Sequence, residues 1–152
     1  MRKYFLLFLS IACFTLFPLA QEDDILKIET SVSPKDLTRN QEGKLILKLI
    51  LQEGLTVNPQ PSFTIEFSPV EGIIFKKNKF TDSDLNIEIL EEMGEEYLNL
   101  KKPLEIPFTV SPDAAEGGHL LEGRIDYFVC SKEEGWCLKS HSKFTVSLSI
   151  NK

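Results

Sequence analysis

Apolar residues recur at every second position through most of this chain, and nowhere do they sustain a period of 3.6. Leu26, Ile28, Thr30 and Val32 alternate with Lys27, Glu29, Ser31 and Ser33. A repeat of two puts each set on its own face of a pleated ribbon, so this stretch predicts a half-buried strand that ends at Pro34. Leu45, Leu47, Leu49 and Leu51 continue the pattern after a polar connection, with Ile46 and Ile50 between them, which predicts a strand covered on both faces. Gly54 opens a short extension through Leu55 and Val57. Asn58-Pro59-Gln60-Pro61 interrupts it, because neither proline can donate to a ladder.

The alternation then returns several times. Phe63, Ile65 and Phe67 form one set, and Leu85, Ile87 and Ile89 another. Leu104, Ile106, Phe108 and Val110 follow, then Leu121, Gly123, Ile125, Tyr127 and Val129, and finally Phe144, Val146, Leu148 and Ile150. Turn formers separate them: Glu71-Gly72, the basic run 76–79, the acidic turn Glu91 to Glu96 around Met93, and the loop from Ser111 to Gly118. Seven or eight short strands at this spacing predict an all-β, immunoglobulin-like antiparallel β-sandwich.

The first twenty residues follow a different rule. Arg2 and Lys3 precede the apolar run Tyr4 to Phe17, and Pro18-Leu19-Ala20 precedes the acids at Glu22, Asp23 and Asp24. This is the pattern of a secretory signal peptide, with cleavage expected after Ala20 and one domain over residues 21–152. Ser10-Ile11-Ala12-Cys13 is a weaker match to a lipid-attachment site, which would tether the chain as a lipoprotein. Loss of Arg2 and Lys3 takes two of the 17 basic residues and none of the 23 acidic ones, which moves the formal charge from −6 to −8. Nucleic acid and anionic membrane surfaces are poor partners for such a chain. The expected location is the periplasm or the medium, where disulfides persist.

Against that background the stretch Tyr127-Phe128-Val129-Cys130 to Trp136-Cys137 carries the chemistry. Cys130 and Cys137 enclose six residues, among them Glu133, Glu134, Gly135 and the only tryptophan. An apolar strand enters the first cysteine and another leaves the second, so the two sulfurs meet at the end of a hairpin. A structural staple and an exchangeable dithiol both fit. Closing so short a loop removes roughly 2 to 3 kcal/mol of unfolded-state entropy at most, little for two strands that are already neighbours. Lys132, Lys139 and His141 would favour a thiolate, and Glu133 and Glu134 would oppose it. Trp136 either shields the bridge, offers a partner a flat contact, or packs on the sheet. Cys130, Cys137 and His141 form a weak metal set, since the spacing matches no strong zinc signature and His119 is distant in sequence. No metal or other cofactor is expected.

The segments Pro103-Leu104-Glu105-Ile106-Pro107-Phe108, Gly117-Gly118, Gly54-Leu55-Thr56-Val57-Asn58 and Ile125-Asp126-Tyr127-Phe128-Val129-Cys130 leading to Cys137 carry a likeness. Over most of residues 25 to 150 the chain resembles the N-terminal periplasmic domain of the thiol:disulfide interchange protein DsbD, the disulfide bond corrector domain family. The resemblance implies an immunoglobulin-like domain that relays reducing equivalents without a cofactor, with thioredoxin-like proteins as partners. It implies that Cys137 forms the mixed disulfide and Cys130 resolves it. It also implies a cap over the pair, for which Met93 in the acidic turn is a candidate, with Tyr127 and Trp136 as further cap or partner contacts. The chain departs from the family at Leu138-Lys139-Ser140, where the family has a proline. A copy ending at Lys152 would take its electrons from a separate membrane protein. The alternative is a noncatalytic binding module of the cell envelope whose bridge is structural.

Overall fold

A computed structural model describes residues 25–152, and the leader-like run and Cys13 lie outside the described residues. Among the described residues the chain is all-β. The strands are β1 (Leu26–Ser33), β2 (Asp36–Thr38), β3 (Glu42–Leu51), β4 (Leu55–Asn58), β5 (Thr64–Phe67) and β6 (Ile73–Phe75). They continue with β7 (Lys79–Thr81), β8 (Ile89–Glu92), β9 (Glu95–Leu98), β10 (Leu104–Val110), β11 (Gly117–Ser131) and β12 (Trp136–Asn151). One sheet runs β1-β3-β10-β6, and the other runs β2-β12-β11-β5-β7 with β4 also paired to β11. The β8-β9 hairpin is a small sheet of its own.

The two large sheets pack as an immunoglobulin-like sandwich because the alternating apolar sets point at one another. Leu45, Leu47, Leu104, Ile106 and Val110 on one side and Ile65, Leu121, Ile125, Val129 and Ile150 on the other are all buried. The second face of β3 is less covered than its sequence predicts: Ile46 is half-buried and Ile50 is exposed. Only one side of that strand meets the opposite sheet.

The strands are also more numerous and more uneven than seven or eight short ones. β11 and β12 have 15 and 16 residues, and their ladder runs unbroken from Gly117↔Ile150 to Ser131↔Trp136. β2 escapes the period test because it has one apolar residue, Leu37, which is fully buried and lies parallel to the end of β12. The alternation Leu85, Ile87, Ile89 is not a strand over its first half. The Asp84 carboxylate accepts hydrogen bonds from Thr81 N at 2.8 Å and Thr81 Oγ1 at 3.0 Å and pairs with Lys77. Asn86 then takes a left-handed conformation at φ 52°. These local bonds wind residues 82–86 into turns while Ile87 still reaches the core.

One glycine is dictated by packing. On β11, Gly123 lies between Phe67 of β5 and Phe144 of β12 as a direct cross-strand partner of both. The two rings meet edge-to-face over it at 5.9 Å, and Phe67 also stacks on Phe75 at 4.3 Å. A β-carbon on Gly123 would come within 2.2 Å of the Phe144 ring. Gly123→Val should therefore cost about 1–3 kcal/mol through displaced rings, read as a lower denaturant midpoint at unchanged slope.

Lys77, then Thr81, hold the Asp84 carboxyl at about 2, below its ordinary 3.8. A depressed carboxylate contributes stability in full above 3.8, and the contribution is lost as pH falls through about 2. Lys77→Met should move the Asp84 titration midpoint upward toward 3.8, followed by carboxyl chemical shifts, and weaken acid tolerance between those two values.

Candidate functional site

The cysteines stand at the top of the long ladder. Cys130 and Cys137 are direct cross-strand partners in the β11–β12 pairing, with α-carbons 4.1 Å apart, and their sulfurs are bonded at 2.03 Å. Directly opposed residues of an antiparallel pair lie about 4.5 to 5.5 Å apart, so the ladder register by itself brings the two sulfurs within bonding reach. The four-residue loop above them is tight: Gly135 N donates to Ser131 O at 2.9 Å, and Glu134 N donates to Ser131 Oγ at 3.2 Å. Gly135 closes it with φ 71°, a conformation glycine adopts without steric cost.

The two sulfur positions are not equivalent. Cys130 is on a central strand, flanked by Cys137 of β12 and Thr56 of β4, and it is only 7% exposed. Cys137 is on β12, whose far side is paired only at Ser149–Asn151, and it is exposed. Both face away from the sandwich core, since Val129 on the opposite face of β11 is fully buried.

The outer face at this end is a cleft. Thr56, Asn58 and Pro59 form one wall, the β8–β9 hairpin contributes Glu91, Glu95 and Glu96, and Trp136 stands beside the disulfide. The hairpin tip is a two-residue turn with Met93 at φ 53° and Gly94 at φ 79°, which matches the right-handed twist of its strands. Lys132, inside the disulfide loop, reaches the hairpin. Its Nζ is 3.4 Å from Glu95 Oε2, 3.7 Å from Glu92 Oε2 and 5.2 Å from the centre of the Tyr97 ring.

The sequence-derived candidates thus separate. Cys130, Cys137 and Trp136 come together, and the acidic turn does border them. Met93 itself points into solvent at 97% exposure and does not line the cleft, although its neighbour Gly94 does. Tyr127 is turned the other way: it is buried in the core, with its hydroxyl 3.1 Å from Ser142 Oγ, so it offers a partner no surface. Trp136 is half-buried and its indole Nε1 donates to the Glu134 carboxylate. His141 lies four positions along β12 from Cys137, roughly 13 Å at strand rise, too far to share one ion with the sulfurs. Lys139, two positions from Cys137 on the same face, is the nearer cation along that strand. The role of Thr56 and of Lys132 as a link to the hairpin could not be read in advance, since both depend on strand pairing across the sheet.

No family model matches the chain, and no curated protein matches it. Solved structures with a similar outline include the N-terminal periplasmic domain of ScsB from Proteus mirabilis, at 13% identity and a TM-score of 0.46, covering 85% of this chain and 48% of that one. A cohesin module of a family 33 glycoside hydrolase from Clostridium perfringens is similar at 17% identity and 0.45, with 83% and 95% covered. A conjugative transposon lipoprotein from Bacteroides eggerthii is similar at 13% identity and 0.36, with 80% and 96% covered. Likenesses this distant carry no conclusion about chemistry or location.

The difference in exposure gives a direct expectation for the reduced protein. Neutral iodoacetamide should modify Cys137 several-fold faster than Cys130, read by peptide mass after timed quenching. Equal rates would mean that the cleft does not distinguish the two thiols.

Proposed function

We infer that this chain is an extracytoplasmic thiol–disulfide exchange module that passes reducing equivalents through Cys130 and Cys137. The observation that supports it most is the pairing of one exposed and one buried sulfur at the end of a rigid hairpin. The family likeness seen in the sequence, to the N-terminal domain of DsbD, points the same way, and the leader-like run supports export.

The step follows from thiol chemistry. A partner thiolate attacks the Cys137 sulfur in line with the S–S bond, which breaks and releases Cys130 as a thiolate. The mixed disulfide joins Cys137 to the partner. The partner's second thiolate then attacks its own bonded sulfur and leaves as an oxidised pair, and Cys137 departs as a thiolate. Two electrons have entered the module, and solvent supplies protons to the two thiolates as their pKa values require. Delivery runs in reverse: the Cys137 thiolate attacks an acceptor's disulfide, and the Cys130 thiolate then attacks Cys137 and frees the acceptor as a dithiol. Held opposite Cys137 at 4.1 Å between α-carbons, Cys130 is placed to resolve the adduct quickly.

Partners of thioredoxin type suit this role because they present a reactive thiol at an exposed tip. The exchange step itself needs no cofactor.

Cys130→Ser should trap a mixed disulfide with thioredoxin through Cys137, and Cys137→Ser should abolish exchange, both read on non-reducing gels. A reduction potential above roughly −300 mV is expected for an exchanging pair. A lower potential, together with no adduct in Cys130→Ser, would instead make the bridge a staple in a noncatalytic envelope binding module.

A further inference from the structure

β12 is bonded along only part of its outer side. Among the described residues that side pairs with β2 at Ser149–Asn151, and before it Thr30 Oγ1 of β1 donates to Thr145 O at 3.3 Å. Since the Thr145 carbonyl points away from β11, so do the N–H and C=O of every second residue before it: Lys143, His141, Lys139 and Cys137. The spacing of the cysteines agrees. Opposed pairs that exchange no hydrogen bonds are the closer ones in an antiparallel ladder, and Cys130 and Cys137 are 4.1 Å apart at their α-carbons. The register is unbroken along β11, so the parity holds throughout. From Cys137 to Lys143, about 20 Å of strand turns its donors and acceptors outward.

The same residues carry a row of charge. Lys139, His141 and Lys143 share the outer face with Cys137, and all are exposed. On β11, Asp126 lies opposite His141 but is paired with Arg124 at 2.8 Å, and Glu122 lies opposite Thr145, past the end of the row. On a chain of net charge −6 this is a local reversal of sign. The inner side of the edge is apolar. Leu138 is 40% exposed, and a cleft of about 420 Å³ lies between Ser142 and Phe144 of β12 and Leu26 and Ile28 of β1.

We propose that the free edge of β12 from Cys137 to Lys143 takes an extended acidic segment of an electron-accepting protein as an added antiparallel strand, which seats the acceptor's sulfur against Cys137. This rests on the exchange reading and adds the chemistry of the acceptor: acids at alternate positions, apolar residues between them, and a cysteine at the C-terminal end. In that register the acids stand opposite Lys143, His141 and Lys139, and the apolar side chains turn toward Leu138 and the cleft. The acceptor's cysteine forms a hydrogen-bonded pair with Cys137 at about 5.5 Å between α-carbons, inside the range that a disulfide spans. Lysines on an edge also discourage indiscriminate pairing, so the same row that turns away basic strands admits an acidic one.

The full chain is titrated with a seven-residue peptide that alternates glutamate with valine and ends in serine, so binding is read without a partner thiol. Amide hydrogen exchange should slow several-fold at Lys139, His141 and Lys143 and stay unchanged at Leu138, Ser140 and Ser142, whose amides face β11. Raising salt from about 20 mM to about 0.5 M, or combining Lys139→Glu with Lys143→Glu, should weaken binding at least about tenfold. His141→Pro, which removes one outward N–H, should weaken it similarly while the β11–β12 amides keep their protection. A peptide N-methylated where its N–H groups face β12 gives the same loss with the chain unaltered. Seating is read with cysteine in place of the serine, activated as its thionitrobenzoate disulfide. The Cys137 thiolate of Cys130→Ser attacks the peptide sulfur, the old S–S bond breaks, and coloured thionitrobenzoate leaves. This reaction should run at least about tenfold faster than with lysine in place of glutamate. Equal binding of the glutamate, lysine and N-methylated peptides, or protection that does not alternate, would overturn the proposal. So would slowing of the same amides by chain concentration alone, the mark of a second copy on the edge. Thioredoxin adducts are scored separately, so strand addition can fail while exchange stands, and the thiol-free titration can succeed while exchange fails.

Discussion

The pairing of β11 with β12 is the contact on which the other features depend. Fifteen consecutive residues of β11 are in register with β12, from Gly117 to Ser131. Because side chains alternate strictly, that register decides everything on both faces at once. It points Ile125, Tyr127 and Val129 into the core, brings Phe144 over Gly123, and sets Cys130 opposite Cys137. A slip by one residue would expose the apolar set and part the sulfurs in the same movement. The disulfide is thus a consequence of the ladder rather than its cause, which is why breaking it need not unfold the sandwich.

The second consequence is asymmetry. Two cysteines that are equivalent in chemistry acquire different environments because one lies on a central strand and the other on a strand with a free edge. β4 pairs beside Cys130, and the β8–β9 hairpin borders the cleft that both cysteines line. Among the described residues, the far side of β12 is paired at Ser149–Asn151 and not beside Cys137. The exchange proposed above would use such a difference, with one sulfur met by a partner and the other kept back. The acidic residues divide in a similar way. Glu29 bridges Lys27 and Lys48 on an open sheet face, and its carboxyl is held below the usual range chiefly by the Lys48 hydrogen bond. Glu92 and Glu95 instead face a cation that belongs to the loop between the two cysteines.

Much of the fold was legible in the order of residues. The alternating sets from Leu45 to Leu49, Leu104 to Val110 and Phe144 to Ile150 are core strands as expected, since periodicity two leaves no other way to bury them. Legibility failed where local bonds or isolated residues took over. Leu37 is not legible because a three-residue strand carries no period, and Leu85 departs from its alternating set because the side chains of Asp84 and Thr81 satisfy the backbone in a turn. Tyr127 is buried rather than available as a surface contact, because its strand parity puts it with Ile125 and Val129.

The sequence by itself determined that the chain is a β-sandwich and that the only two cysteines after residue 13 end one hairpin, because alternation and short spacing are local properties. Tertiary structure alone decided which sulfur is covered and by what. The cleft beside Cys130 is built with β4, more than seventy residues before it, and a hairpin more than thirty before it, and no local pattern encodes where such distant segments come to lie.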